Sequence, residues 1–352
     1  MSKLKASFHK LTHWEHWPSY MFYLPNIPYS FYLAIKAKNP VFFTATNPAI
    51  KNSGNGMESK YETIQMIPEA YKPKTVFIKT ETSFKAILKK VELASINFPL
   101  IAKPDIGFRG VLVQKIDSEN ELKKYFESNP IDIIIQEFIS YPKECGIFYY
   151  RFPNQKSGTI TSITLKKFLN VSGDGHKTLS KLILDDKRAY LYFDILKKIH
   201  GDALESIPKK GKEVTLTVIG NHSKGTEFID GNYLINQQLT TVIDGISQQI
   251  EGWFYGRLDI KYESFEKLMK GENFTILEIN GIISEPTHIY DSSKNSYFDA
   301  VIAIKNHWKI IYQIATHNHK QQNIDYANTI TFCKEMIVLR KYAKKLNKLR
   351  LQ

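Results

Sequence analysis

The sequence predicts a mixed α+β chain. Three observations predict it. Short apolar or alternating runs of strand length recur between residues 75 and 280. Segments with apolar residues at helical spacing lie between them. Clusters of Gly, Pro, Asn and Ser punctuate both. The 352 residues suit one large domain or two to three smaller ones, and an apolar fraction of 43% allows a real core. A formal net charge of +13 favours anionic partners without choosing among phosphates, nucleic acid, acidic substrates and a membrane surface. Cys145 and Cys333 alone make neither a disulfide framework nor a Cys-rich zinc site. No uncharged apolar run reaches spanning length, and the first residues do not read as a secretory signal, so a reducing, cytoplasmic setting is expected.

The opening is aromatic-rich. Trp14, Trp17, Tyr20, Phe22, Tyr23, Tyr29, Phe31, Tyr32, Phe42 and Phe43 crowd among Pro18, Pro25, Pro28 and Pro40. Those prolines forbid one long helix. The segment reads as a packing layer, or as a surface touching lipid headgroups, where Trp and Tyr beside Lys are suited. His13 and His16 could meet a metal if helical, but their Trp neighbours favour packing. Residues 47–60 form a loop, and helical spacing follows through Ile64 and Ile67 until Pro68.

TVFIK (75–79) is strand-like, and 83–95 is a helix burying Phe84, Ile87, Leu88 and Val91. FPLIAKP and GVLVQKI are two strands around a Gly loop. The helix at 118–128 opens on a capping-box pattern, Ser118 and Glu121. DIIIQEFI (132–139) is a buried strand by its unbroken apolar run. Strands follow at 146–152 and 159–166, then a turn, SGDGHKTL (172–179), leads into a helix. A strand at 213–220, a helix at 235–252, and the strands RLDIKYE and FTILEIN complete this part. From about 297 the chain is helical and increasingly basic; its last turns read as a solvated face, and His317 and His319 as solvated.

Four stretches carry chemistry. In KPDIGFRG (103–110), glycines let backbone N–H groups approach an anion while Lys103 and Arg109 add positive charge, which suits polyphosphate. In the strands GRLDIKY and LEIN, alternation puts Arg257 and Asp259 on one face, and Glu278 and Asn280 on one face. If these strands pair, two carboxylates and an amide converge beside an arginine, a donor set for Mg²⁺. QEFI (136–139) ends a strand with Gln136, Glu137, Phe138 and Ile139, and Glu144 follows. Backbone groups there could read an adenine edge, and a carboxylate could hold ribose hydroxyls.

In this order the stretches resemble the ATP-grasp superfamily, and within it carboxylate–amine ligases such as D-alanine–D-alanine ligase, cyanophycin synthetase and bifunctional glutathione synthetase. The resemblance runs from about Lys60 to Asn280. SGDGHKTL and NHSKGTEFID (221–230) match further segments of the last two. It implies an ATP-grasp fold, two α+β lobes clamping ATP between antiparallel sheets, with a short atypical N-terminal region and a helical C-terminal tail. The implied division is 1–78 before the lobes, 79–140 the small lobe with the Gly loop, 141–300 the large lobe with the metal site, and 301–352 basic helices. Lys60 and Lys103 would contact the α- and β-phosphates, and Gly107, Arg109 and Gly110 would belong to the loop that closes over them. Gln136, Glu137, Phe138 and Ile139 would border adenine, and Glu144 the ribose. Asp259, Glu278 and Asn280 would ligate Mg²⁺ (or Mn²⁺). Arg257 would face the γ-phosphate and acyl group, and Lys224 the phosphates.

The reaction implied joins a small-molecule carboxylate to an amine through an acyl phosphate, releasing ADP and phosphate. Two alternatives stand beside it: a kinase on the same scaffold, and a nucleotide-binding scaffold without turnover. The family's early substrate-binding signature is absent from the opening, and GIISEPTHIYD (281–291) is not the small-residue loop of D-alanine–D-alanine ligase, so the acceptor differs. Glu285 and Asp291 there favour a substrate carrying an amine. No nucleic acid partner is expected; peripheral membrane contact through the N-terminus or basic tail, and a homodimer, are compatible with the sequence.

Overall fold

The computed structural model describes residues 2–351 except Arg109, Val218, Ile219, Asn221, Ser223 and Lys224. The expected roles of Arg109 and Lys224 therefore lie outside the described residues.

Two antiparallel sheets organise the chain. The first contains β1 (Thr75–Ile78), β2 (Leu100–Pro104), β3 (Gln114–Ile116) and β4 (Ile133–Glu137) in the order β1-β4-β2-β3. Its apolar face buries Ile78, Leu100, Ala102, Ile133 and Ile135 against the helices Phe84–Leu93 and Glu119–Ser128. Both helices start on a serine whose hydroxyl accepts the third backbone N–H, Ser83 from Ala86 and Ser118 from Glu121. Each fully buried Ile or Leu in such a layer contributes roughly 1.5–3 kcal/mol.

The second sheet contains β5 (Lys143–Tyr150) and β6 (Thr159–Lys167), and, after the short ribbon of β7 (Asn170–Ser172) and β8 (Glu213–Thr215), β9 (Glu227–Asp230), β10 (Tyr255–Tyr262) and β11 (Phe274–Asn280). Its order is β11-β10-β5-β6-β9. The helix Gln237–Ser247 covers one face with Leu239, Ile243 and Ile246. The opposite face carries the polar residues described below. The β7–β8 ribbon holds its own small core with residues 179–204.

Three expectations are corrected. The strand expected over GVLVQKI shortens to Gln114–Ile116, because Gly110 and Leu112 adopt left-handed backbone (φ +70° and +57°), which pleating excludes. Of the strand expected at 213–220, Glu213–Thr215 is a strand and Val218 and Ile219 lie outside the described residues; the helix expected at 235–252 is Gln237–Ser247. β1 ends at Ile78 and joins the first sheet through β4.

The N-terminal region is broken at its prolines into Ser2–Thr12, Tyr20–Tyr23 and Ile27–Ala37. Phe22, Leu33 and Phe42 are buried against the long helix Tyr297–Gln321, while Tyr20, Phe31, Tyr32 and Ile35 stay exposed. His319 is not solvated: it stacks on Tyr326 at 4.0 Å. Nor is the basic tail a free charge run. Leu346 of the helix Thr329–Leu351 is buried in the first sheet's core. No described helix is long and apolar enough to cross a membrane.

Candidate active site

The two sheets face each other across a cavity of about 890 Å³. Every candidate residue among the described ones lines it: Lys60, Lys103, Gly107, Gly110, Gln136, Glu137, Phe138, Ile139, Glu144, Arg257, Asp259, Glu278 and Asn280. The sheets also touch: Gln136 Nε2 lies 3.5 Å from the Leu277 carbonyl.

The metal-type cluster follows from strand register. β10 and β11 pair antiparallel with Arg257 opposite Asn280 and Asp259 opposite Glu278. Alternation then turns all four to one face. Arg257 Nη2 binds Asp259 Oδ2 at 3.0 Å. The Asn280 amide reaches both carboxylates, with Nδ2 3.1 Å from Asp259 Oδ2 and 3.3 Å from Glu278 Oε1. Flipping that amide turns its oxygen to the same point. Two carboxylates and an amide oxygen are the donor chemistry a hard divalent cation takes. Among the described residues no three His, Cys, Asp or Glu side chains form such a group by themselves. A cation here needs Asn280 and oxygens from a ligand.

Gly146 makes the cluster possible. It stands opposite Asp259 on β5, and a Cβ there would lie 2.9 Å from Arg257 Cδ. Behind Asn280, Gly54 and Gly281 press backbone on backbone; a Cβ on Gly54 would approach Gly281 Cα to 2.6 Å. The loop at 47–56, legible only as turn chemistry, thus buttresses the end of β11 through Ser53 and Gly54 carbonyls, which accept from Ile282 and Ile283.

Lys60 reaches Glu278 Oε2 at 2.9 Å from the first turn of the helix Lys60–Gln65. That helix is docked by Asp105, whose carboxylate accepts from Ser59 Oγ and Tyr61 N, both at 2.9 Å. Asp105 was legible only as part of the Gly loop. Burial alone would raise the Glu278 carboxyl; Lys60 and Lys103 outweigh it and hold it well below the usual carboxylate range. Lys103 is different. It is 7% exposed, and no carboxylate pairs with it among the described residues; its Nζ bonds to Gln136 Oε1 at 3.1 Å. Burial pushes its ammonium down to about 8. A buried cation with no described carboxylate bonded to it, facing a cavity, is a site for an anion.

Glu144 does not end in solvent, as strand-end carboxylates commonly do. Register sets it between Lys166 of β6 and Lys261 of β10. Lys166, missed from the sequence, binds Glu144 at 2.6 Å and Asp259 at 3.0 Å. Lys261, also missed, donates to the Ile139 carbonyl at 3.0 Å and lies over the Phe138 ring. Its signal was present: it follows Asp259 on the same face of GRLDIKY. The Glu137 carboxylate turns away to the Lys74 backbone N–H, at 2.8 Å.

SGDGHKTL lies off the cavity lining, on the β7–β8 unit. There Asp174 accepts from His176 and Lys177 N–H groups, and Thr178 caps the helix Leu179–Asp185. Of the loop after β11, Glu285 lines the cavity. Asp291 does not: it accepts from the Asp230 and Ser293 N–H groups and holds loop to strand.

No protein-family model matches the chain. Over 217 residues it is 25% identical to the glutathione biosynthesis bifunctional protein GshAB of Streptococcus mutans, covering 55% of this chain. The chain thus spans 28% of that relative's length. Among solved structures it is similar to a bifunctional glutathione synthetase from Pasteurella multocida (TM-score 0.36, 17% identity, 74% of this chain and 38% of that one). It is also similar to the VanG D-Ala:D-Ser ligase from Enterococcus faecalis (0.41, 14%, 73% and 61%). The D-alanine–D-alanine ligase from Bacillus anthracis gives 0.42, 13%, 75% and 68%.

Proposed function

We propose that this chain is an ATP-dependent, ADP-forming ligase that joins a carboxylate to an amine through an acyl phosphate. One observation carries the reading: Lys60 and Lys103, Arg257, and the Asp259–Glu278–Asn280 donors come from separate stretches of chain into one cavity between two antiparallel sheets.

Lys103, to which no described carboxylate bonds, receives a phosphate oxygen. Lys60 can exchange Glu278 for a second phosphate, which frees that carboxylate. Asp259, Glu278 and Asn280 would hold Mg²⁺, whose charge would offset the negative charge of the phosphates. Arg257, fixed by Asp259, orients the acceptor carboxylate toward the γ-phosphorus. The carboxylate oxygen bonds to phosphorus as ADP leaves, and an amine then displaces phosphate from the acyl carbon. Lys166 fixes Glu144 and Asp259 in place. Gly107, Phe108, Gly110 and Val111 line the cavity, where they would exclude water that would hydrolyse the acyl phosphate. No protein nucleophile is required.

The test is incubation with ATP, Mg²⁺ and pools of carboxylates and amines, following ADP release and new mass. Amine-dependent phosphate release with an amide product supports the ligase. A phosphorylated hydroxyl product supports a kinase instead, and nucleotide binding without turnover a scaffold.

A further inference from the structure

The N-terminal region lines one end of the cavity with Trp17 and Tyr23, and its other side turns apolar residues outward. Helices Tyr20–Tyr23 and Ile27–Ala37 are joined through Leu24–Asn26 without leaving right-handed helical backbone. Helical periodicity therefore sorts the run from 20 to 37 into two sides. Phe22, Asn26 and Leu33 are buried on the side of the helix Tyr297–Gln321. Asn26 Nδ2 donates to the Val301 carbonyl at 3.0 Å, and Tyr297 Oη to the Met21 carbonyl at 2.7 Å. Tyr20, Leu24, Ile27, Phe31 and Ile35 recur every three or four residues on the other side, and all are exposed, Phe31 by 64% and Ile35 by 76%. The neighbouring helix adds Phe298 and Ile302, four apart and exposed. Scattered apolar residues on a surface need no account; a row at one spacing, on two touching helices, marks a docking face.

Charge names the partner. Residues 1–57 carry six lysines against one acid, Glu15, which is turned inward to His16, His222 and Arg188. Lys36 stands over the Tyr32 ring at 5.9 Å and Lys305 over the Tyr29 ring at 5.2 Å, which ties both cations to the aromatic face. The acid beside Phe298, Asp299, is occupied as the capping partner of Ser296. A second copy meeting this face with its own would bring lysine to lysine. Stacked nucleic-acid bases call for flat rings, and Leu24, Ile27, Ile35 and Ile302 offer none. Aliphatic side chains flanked by Tyr and Lys suit the boundary between acyl chains and anionic headgroups.

We propose that this face docks on the surface of an anionic lipid bilayer. Leu24, Ile27, Phe31, Ile35 and Ile302 enter the headgroup boundary, and Lys36 and Lys305 meet lipid phosphates. Each apolar side chain and each lysine adds a modest increment, so binding is reversible and falls with salt. The proposal stands apart from the ligase reading, which concerns the cavity.

The test floats the full chain with vesicles of phosphatidylcholine containing about 30% phosphatidylglycerol, and with vesicles of phosphatidylcholine alone. The chain should rise with the first and stay behind with the second, and NaCl raised from about 0.1 to about 0.5 M should release it. Ile35→Ser should weaken binding by about tenfold. Lys36→Gln and Lys305→Gln should weaken it by about fivefold each. Ile337→Ser, at an exposed apolar position of the helix Thr329–Leu351, should bind as wild type does. Unchanged urea unfolding midpoints show that the variants are folded. The tryptophan added by Phe31→Trp should be quenched by brominated phosphatidylcholine in the anionic vesicles. Equal flotation with both vesicle types, flotation with neither, or an Ile337→Ser loss matching that of Ile35→Ser would overturn the proposal. So would a chain that ignores vesicles yet sediments as a dimer that Ile35→Ser dissociates, which would give the face to a second copy.

Discussion

Replacing Lys103 by Met should make the protein more stable and a poorer binder of ATP. The ammonium is buried, its Nζ bonds among the described residues to a neutral amide alone, and burial lowers it from 10.5 to about 8. At about 1.4 kcal/mol for each tenfold, that gap destabilises the fold by about 3 kcal/mol at pH 7. Met removes this penalty and gives up one hydrogen bond of about 1 kcal/mol, leaving a gain of about 2 kcal/mol. The sign with pH follows from the lowered value. Below about 8 the lysine is charged in both states and the penalty is complete. As pH rises from about 8 towards 10.5, the folded lysine is neutral while the unfolded one still holds its proton, so the penalty fades. Urea unfolding at pH 7 and pH 10 should therefore show the two proteins converging. A fluorescent ATP analogue should bind the variant about 10- to 150-fold more weakly, the loss of one charge-assisted phosphate contact. A variant less stable than wild type at pH 7, or one that binds ATP unchanged, would refute the reasoning.

Other outcomes follow from the same geometry. Glu278→Gln should cut turnover by about a thousandfold, corresponding to about 4 kcal/mol of lost charge stabilisation, while retaining some nucleotide binding; wild-type rates in a coupled ADP-release assay would remove Glu278 from the metal site. Lys166→Met removes the cation bound to Glu144 and leaves Asp259 with Arg257, and should lower stability by about 3–5 kcal/mol in urea unfolding. Gly146→Val should displace Arg257, lowering turnover more than ATP affinity, as separate kinetic and binding measurements would report. Gly54→Ala presses a Cβ onto Gly281 at φ +78°, so it should destabilise the chain and blunt the Mg²⁺ dependence of ATP binding.

The sequence made most of the site legible because strand alternation is a local rule. Arg257, Asp259, Glu278 and Asn280 share a face by counting, and only the pairing of β10 with β11 had to be supplied by the fold. The capped helix after Ser118 was readable for the same reason: the cap and its partner lie three residues apart. What could not be read depends on distant contacts. Lys166 gains its role only when β6 lies against β5 in a register that sets it opposite Glu144. Asp105 acts across to Ser59 and Tyr61. The loop at 47–56 matters because Gly54 meets Gly281, a contact no periodicity announces. The aromatic opening could be read as a packing layer, but its line of contact with the cavity is set by the helix Tyr297–Gln321, hundreds of residues away.

A structure of the chain with a non-hydrolysable ATP analogue and Mg²⁺ tests the whole account most directly. The account predicts phosphates against Lys60 and Lys103, the base beside the Glu137–Phe138 backbone, and the metal on Asp259, Glu278 and Asn280. Nucleotide bound outside the cavity, or a metal that leaves those three side chains untouched, would contradict it.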